Sequence, residues 1–399
     1  MNDDTTQGKR GEDKGAAEDG AAVFLERDAL QTLLALLQSG GYRLVGPQVR
    51  DGAIVYETLG GAEQLPRGWH DEQAPGRYRL HYDPASPRLF AWANGPQALK
   101  PLVFAPRELL WEAHRDETGN LRFQDCLPSG ERIAVIGVRA CDLAALALQD
   151  AHFLEGPFPD AAYHRRRTGL FLVAVDCSHP AETCFCAATG DGPRVEAGKG
   201  AAWDLRLQEL EAGFLVEAGS RAGAAYLARL PARAATEAER AAALAQAQAA
   251  VARQTRRLPA PGPSAGAPCH DAAGLAGALT ARHDHPHWHD VAQRCLACGN
   301  CTAVCPTCFC AGDEEVPDLA GTASRHYRQW DSCFTAAHSY IHGIVIRAET
   351  RHRYRQWLTH KLDTWHAQYG RSGCVGCGRC ITWCPAGIDL TAEAEALVP

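Results

Sequence analysis

Apolar residues recur at helical spacing near the beginning of this chain. Between residues 24 and 37 the repeat places four apolar side chains on one side, namely Leu30, Leu33, Leu34 and Leu37. This spacing is typical of a helix that packs one face on a core, so the sequence predicts a helix over residues 24–37. Residues 235–257 also favour a helix, because they are rich in alanine, which has the highest helix propensity.

Short apolar segments between these two helices indicate strands. Residues 133–138 and 170–175 are continuous runs of aliphatic side chains, which is typical of strands buried on both faces in a parallel sheet. Three shorter segments also have strand character, and these are residues 42–45, 53–56 and 214–217. Strands that alternate with helices predict an α/β domain, which we assign to residues 21–262.

Changes in composition mark the ends of this domain. Residues 1–20 are rich in Asp, Glu, Lys and Gly, and they predict a disordered tail. Residues 258–268 contain many prolines and glycines and predict a linker. Residues 270–399 are helix-prone and hold most of the cysteines. The predicted fold class is therefore α+β, with an N-terminal α/β domain followed by a mostly helical domain.

Length, charge and cysteine content narrow the range of functions. The 399 residues suit two or three domains, and the net charge of −7 argues against a nucleic acid partner. The chain begins without an apolar signal segment, and no run reaches the roughly 18 apolar residues that a membrane span requires. The 17 cysteines come in tight clusters. In a soluble cytoplasmic protein, which is the location we predict, such clusters indicate bound metal rather than disulfides.

Two cysteine motifs share the pattern C-x2-C-x2-C-x3-C-P. The first runs from Cys295 to Pro306 and the second from Cys374 to Pro385. This pattern is the bacterial ferredoxin signature for 4Fe–4S clusters, in which the fourth cysteine of each motif ligates the other cluster. Residues 270–399 are therefore predicted to form a dicluster ferredoxin-like domain. The first cluster is predicted on Cys295, Cys298, Cys301 and Cys384, and the second on Cys374, Cys377, Cys380 and Cys305.

Zinc is the alternative ligand for paired cysteines. A zinc site needs only four ligands, and it gives no reason for two matching four-cysteine runs that each end in Cys-Pro. The motifs therefore favour 4Fe–4S clusters over a zinc-bound scaffold. A long insert separates Cys305 from Cys374, whereas compact ferredoxins join the two motifs by a short segment. The exchange of the fourth ligand is expected to survive this insert.

Four cysteines of the α/β domain predict a third site. Cys141 and Cys177 each follow one of the two buried strands, and Cys184 and Cys186 form a C-x-C pair soon afterwards. Neighbouring parallel strands end at the same edge of a sheet, where open α/β sheets bind ligands. We therefore expect a third 4Fe–4S cluster on these four thiols. The alternatives are zinc and a group of buried cysteines that binds no metal.

The remaining cysteines carry a weaker signal. Cys126 and Cys269 lie in polar segments and look incidental. Three further thiols are one short of a usual cluster, and these are Cys308, Cys310 and Cys333. We expect them to pack, and a site completed by His338 is the alternative.

Several segments outside the ferredoxin motifs occur in an order that resembles a known family. They are residues 100–108, 137–142, 183–186, 190–193, 295–310, 330–333, 353–355, 360–361 and 373–385. The chain resembles the beta subunit of soluble NAD(P)-linked nickel–iron hydrogenases (sulfhydrogenases) and the related A-type subunit of anaerobic sulfite reductase. Two departures fall in the predicted third site. Arg139-Ala-Cys-Asp142 replaces the family's Arg-Pro-Cys-Asp, and Ala187-Ala-Thr-Gly-Asp-Gly-Pro193 replaces a Ser-Met-Gly-Thr-Gly-Pro-like run.

The resemblance implies an iron–sulfur subunit that relays electrons between partner proteins. One partner would be a flavin-containing gamma subunit that reacts with NAD(P)H. The other would be a catalytic moiety, either the small and large subunits of a nickel–iron hydrogenase or the catalytic subunit of a sulfite reductase. The sequence contains no dinucleotide-binding or Walker fingerprint, which favours a relay without catalytic activity of its own. The expected function is thus electron transfer in an NAD(P)-linked hydrogenase, with the A-type subunit of anaerobic sulfite reductase or a non-redox zinc scaffold as alternatives.

Overall fold

A computed structural model describes residues 22–97, 99–259 and 275–398 of the protein. The predicted tail over residues 1–20, most of the predicted linker and Cys269 lie outside these described residues.

The strands of the described residues are β1 (Val23–Glu26), β2 (Arg43–Arg50), β3 (Ala53–Thr58), β4 (Trp69–Ala74), β5 (Arg77–Tyr82), β6 (Arg107–Arg115), β7 (Leu121–Asp125), β8 (Ile133–Val138), β9 (Leu170–Val175), β10 (Leu205–Glu209), β11 (Gly213–Ala218), β12 (Ala232–Ala234), β13 (Ala311–Pro317), β14 (Ala323–Trp330), β15 (Tyr340–Ile341) and β16 (Ile344–Val345).

The α-helices of the described residues are α1 (Ala29–Ser39), α2 (Lys100–Val103), α3 (Ala140–Leu154), α4 (Ala161–Thr168), α5 (Cys186–Thr189), α6 (Arg221–Leu227), α7 (Glu237–Ala252), α8 (His287–Arg294), α9 (Asn300–Ala303), α10 (Thr350–Thr359), α11 (Trp365–Tyr369), α12 (Arg379–Thr382) and α13 (Leu390–Leu397). A π-helical turn, His360–Thr364, joins α10 to α11.

An eight-stranded sheet organises the N-terminal part, in the order β12-β1-β11-β10-β9-β8-β2-β3. Its four central strands, β10, β9, β8 and β2, run parallel, and the strands on either side pair antiparallel. The two continuous apolar runs form β8 and β9 with the predicted bounds, and every residue of β8 is buried. Helices α1 and α3 contribute leucines to the cores on opposite faces of this sheet, so both faces are covered.

The predicted helix over residues 24–37 is wrong at its beginning. Residues Val23–Glu26 form the strand β1, and the helix α1 starts at Ala29. Phe24 and Leu25 are both buried but belong to two different cores, which is the alternation of a strand between two layers. Pairing of β1 with β11 and β12 satisfies its backbone groups, so the tertiary context overrides the local helical pattern.

A second sheet joins the N-terminal and C-terminal parts, in the order β13-β14-β6-β7. Strand β14 pairs antiparallel with β6, which comes from the predicted α/β domain. The prediction of a mostly helical C-terminal part is therefore not confirmed. Its strands β13 and β14 are half-exposed and rich in charged residues, so they lack the continuous apolar run that reveals a buried strand. The division of the chain into domains stays a prediction.

The C-terminal helices build an aromatic and aliphatic core beside the cysteine motifs. Trp288 of α8, Tyr354 and Trp357 of α10, and Leu390 of α13 pack in this core with Phe334. Three motif cysteines, Cys295, Cys301 and Cys384, are half-buried against the same core. Among the described residues, no helix is both long and apolar enough to cross a membrane.

Candidate iron–sulfur centre

The first cavity lies between the two ferredoxin motifs. Its lining includes Cys295, Cys298 and Cys301 of the first motif and Cys384 of the second. These are the four thiols that the sequence assigns to the first cluster, and the fold brings them together despite the long insert. The remaining wall is largely apolar and is formed by Leu296, Phe334, Tyr354, Trp357, Pro385, Ala386, Ile388 and Leu390 among others.

The second cavity repeats this arrangement with the motifs exchanged. Cys374, Cys377 and Cys380 of the second motif line it together with Cys305 of the first. Cys380 lines both cavities, so the two candidate sites are direct neighbours. The second cavity differs from the first in one respect, because the side chain of Lys361 forms part of its wall.

Glycines let the motif loops approach the rest of the protein closely. Gly376 and Gly378 have φ angles of 62° and 75°, in the left-handed region that other residues rarely adopt. A Cβ atom at Gly376 would lie 2.6 Å from the backbone of Phe185, and one at Gly378 would lie 2.6 Å from the carbonyl oxygen of Thr183. The second motif therefore packs directly on the segment that carries Cys184 and Cys186.

The structure also gathers the four upstream cysteines. Cys141 lies in the first turn of α3, directly after β8, and Cys177 follows β9 at the same edge of the sheet. Burial raises the pKa of Cys184, and the nearby thiols of Cys186 and Cys177 raise it further. Burial likewise raises the pKa of Cys141, where Asp142 and Cys186 add to the effect. All four thiols thus lie within electrostatic reach of one another.

Polar contacts connect this upstream group to the second cavity. The Asn94 side-chain amide donates to Cys141 Sγ at 3.4 Å and to the carbonyl oxygen of Cys377 at 3.3 Å. The Cys184 thiol lies 3.8 Å from the same carbonyl oxygen. Gln254 Nε2 donates to Cys186 Sγ at 3.5 Å. The upstream group and the two cavities therefore form a row, with Cys377 between the upstream group and the second cavity.

The thiols surround open space rather than one point. Within residues 22–97, 99–259 and 275–398, no three His, Cys, Asp or Glu side chains converge closely enough to hold a single metal ion. Every described cysteine is free of disulfide bonds.

The Cys305 sulfur has an electrostatic environment unlike that of the other ligand candidates. A hydrogen bond from Cys308 and the charge of Lys361 hold its pKa well below the usual range, although burial opposes them. Burial raises the pKa of Cys374 to about 12. Lys361 Nζ lies 3.3 Å from Cys305 Sγ. The second cavity therefore contains one sulfur at which negative charge is strongly stabilised.

The other three C-terminal thiols lie beside the second cavity. Cys308 contacts Cys305, and Cys333 is buried in the apolar core of the C-terminal helices. Cys310 lies close enough to Cys333 to raise its pKa, where burial is the larger cause. His338, the proposed fourth ligand, has its Nδ1 atom 3.1 Å from Asp331 Oδ2.

Sequence reasoning missed three charged residues of this region. Lys361 and Lys100 are buried lysines near Cys305, and Arg379 is a buried arginine between Cys377 and Cys380. All three lie in segments that carry the family resemblance. A charged residue inside such a segment is the signal that could have identified them.

Comparison with known proteins agrees with this arrangement. A family model described as a 4Fe–4S dicluster domain matches residues 294–388. The curated protein Sulfhydrogenase 2 subunit beta of Pyrococcus furiosus is 28% identical over 295 residues, which cover 73% of this chain and 79% of the relative. No solved structure matches the chain. These two matches confirm the resemblance drawn from the ordered segments and the presence of a 4Fe–4S domain.

Proposed function

Because this chain is a sulfhydrogenase beta-like iron–sulfur subunit, we propose that it relays electrons through three 4Fe–4S clusters. The first would be held by Cys295, Cys298, Cys301 and Cys384, the second by Cys374, Cys377, Cys380 and Cys305, and the third by Cys141, Cys177, Cys184 and Cys186. The observation that carries the proposal is the composition of the two cavities. Each is lined by three cysteines of one motif and the fourth cysteine of the other.

The donor set of the cavities fits this cofactor. Clusters of the 4Fe–4S type take four cysteine thiolates, and each cavity offers these cysteines with no histidine or carboxylate among the described residues of its wall. When bound, such clusters supply one-electron transfer. The protein's own contribution is to hold the thiolates, to exclude water with apolar side chains such as Phe334 and Trp357, and to donate hydrogen bonds to sulfur.

The order of the sites supports a relay. The two cavities share Cys380, and the upstream thiols contact the carbonyl group of Cys377. The first cavity lies near the surface, because Cys298 is exposed and the Leu296 side chain is 68% exposed. An electron would therefore exchange with one partner at Cys298 and pass inward through the second cavity to the upstream site.

We propose that the partners are the small and large subunits of a nickel–iron hydrogenase, together with a flavin-containing, NAD(P)-reactive gamma subunit. The name of the curated relative supports a hydrogenase complex over a sulfite reductase catalytic subunit. A nickel–iron large subunit or a sirohaem subunit encoded beside this gene would separate the two. The clustered cysteines support a location in the reducing cytoplasm.

Reduction of the anaerobically purified chain tests the proposal. Dithionite, which needs no binding site, should bleach the iron–sulfur absorbance, whereas NADPH should do so only after the flavin-containing subunit is added. Cys298→Ser should lower the absorbance. Cys126→Ser should leave it unchanged, because Cys126 follows β7, lies near the Gln124 carbonyl oxygen and lines neither cavity of the described chain. Rapid bleaching of the isolated chain by NADPH without flavin would overturn the relay, and a colourless chain would overturn the clusters.

A further inference from the structure

Two buried lysines lie beside the second cavity. The chain has five lysines, and the structure describes three of them. Lys361 is 4% exposed and Lys100 is 6% exposed, whereas Lys199 lies on the surface. Lysine is almost never buried unless a partner compensates its charge. The partners of these two side chains therefore identify what the charge serves.

Lys100 stabilises the backbone around Cys305. Its Nζ atom lies 3.3 Å from each of three carbonyl oxygens, those of Thr302, Ala303 and Cys305. The same ammonium group lies 3.9 Å from the centre of the Trp330 ring. These contacts fix the turn after α9 without reaching a sulfur atom.

Lys361 reaches the sulfur itself. Its Nζ atom lies 3.3 Å from Cys305 Sγ and 3.0 Å from Thr307 Oγ1. Across the part of the chain that the structure describes, no carboxylate forms an ion pair with Lys361, so its buried charge faces the sulfur of Cys305. The residue belongs to the π-helical turn His360–Thr364, an irregularity that is frequent at functional sites.

Thr307 holds this ammonium group in place. Its hydroxyl donates to the carbonyl oxygen of Gly373 at 2.7 Å, so its single proton is committed there. The Thr307 oxygen therefore accepts from Lys361 rather than donating to Cys305. The backbone N–H of Gly373 in turn donates to the carbonyl oxygen of Lys361 at 2.8 Å, which closes a small network around the turn.

Within the described residues, the first cavity has no counterpart of Lys361. The described part of its wall contains no lysine or arginine, and the contact to its Cys295 sulfur comes from the backbone N–H of Ala297 at 3.4 Å. Two sites with the same ligand pattern therefore differ by one buried positive charge.

We propose that Lys361 makes the reduction potential of the second cluster more positive, and that Thr307 positions it. This inference rests on the proposed function, since it requires a cluster bound at Cys305. Reduction adds one electron, and thus one negative charge, to the cluster and its four thiolates. A buried ammonium 3.3 Å from a ligand sulfur favours that more negative state, because charges interact strongly where water is excluded.

A redox titration followed by electron paramagnetic resonance tests the inference, with dithionite as the reductant and Cys374→Ser used to assign the signal of the second cluster. Lys361→Met should lower the equilibrium constant for reducing that cluster by at least about tenfold, which is about 59 mV for one electron. The potential of the first cluster should not move. Lys361→Arg, which keeps the charge, should restore most of the potential, and Lys199→Met should have no effect.

Thr307→Val gives an independent measure if Lys361→Met loses iron from the second site. It keeps the ammonium group but removes its acceptor, so it should shift the same potential in the same direction by a smaller amount. An unchanged potential in either variant that retains its iron would overturn the role of Lys361. Absence of any 4Fe–4S signal in the unmodified protein would instead overturn the proposed function.

Discussion

Asp142 and Arg379 form a buried ion pair that connects the upstream cysteines to the second cavity. The distances are 2.7 Å between Arg379 Nη1 and Asp142 Oδ1 and 3.2 Å between Nη2 and Oδ2, and each side chain is 1% exposed. Asp142 follows Cys141 directly, and Arg379 lies between Cys377 and Cys380. Arg379 also donates to the carbonyl oxygen of Gly95, so its guanidinium is held on two sides. This pair fixes the upstream group relative to the second cavity.

Removing one member of this pair should destabilise the protein strongly. Asp142→Ala would leave the Arg379 charge buried without a partner, and we expect the free energy of unfolding to fall by about 3–5 kcal/mol. Anaerobic denaturant unfolding measures the change. Glu112→Ala is the matched control, because it removes a surface pair with Arg325 and should cost less than about 1 kcal/mol. Equal losses in the two variants would contradict a structural role for the buried pair.

The exchange of fourth ligands predicts which cluster each cysteine variant damages. Cys384→Ser should alter the cluster assigned to Cys295, Cys298 and Cys301, because Cys384 lines their cavity. Cys305→Ser should alter the other cluster for the same reason. Electron paramagnetic resonance of the reduced variants distinguishes the two signals. The exchange would be wrong if each variant harmed only the cluster of its own motif.

Iron content should report the third cluster. Anaerobically purified protein is expected to contain about 12 iron atoms per chain, four for each of three clusters. The double variant Cys184→Ser, Cys186→Ser should fall to about eight, because both thiols belong to the upstream group. Colorimetric iron and sulfide analysis measures both values. An unmodified chain with about eight iron atoms would remove the third cluster and leave the other two.

His152 should make stability depend on pH in mildly acidic solution. Its ring stacks on Phe309 with centroids 3.5 Å apart, its Nδ1 atom lies 2.8 Å from the Tyr369 hydroxyl oxygen, and burial lowers its pKa from 6.5 to about 4. The unfolded chain therefore binds a proton between pH 6.5 and pH 4 that the folded chain does not bind.

The contribution of neutral His152 to stability is thus complete above pH 6.5 and is lost as the pH falls towards 4. His152→Leu cannot titrate, so the variant should lose less stability than the unmodified protein over this range. Urea unfolding at several pH values measures both slopes. Identical slopes would show that this histidine does not govern the acid response.

The amino-acid sequence determined those features that depend on near neighbours along the chain. The x2 and x3 spacing of the cysteines is local ligand geometry, and it identified the 4Fe–4S domain that the family model also matches. The continuous apolar runs fixed β8 and β9, because a strand buried on both faces needs no polar positions. The ligand sets of the clusters and their number remain predictions.

Only the tertiary structure decided how distant segments complete one another. Strand β1 and the charged strands β13 and β14 depend on partners that no local pattern reveals. Asp142 and Arg379 are 237 residues apart, and Lys361 is 56 residues from Cys305. A buried charge is stable only where another segment supplies its partner, so its position follows from the path of the whole chain and not from the spacing of any motif.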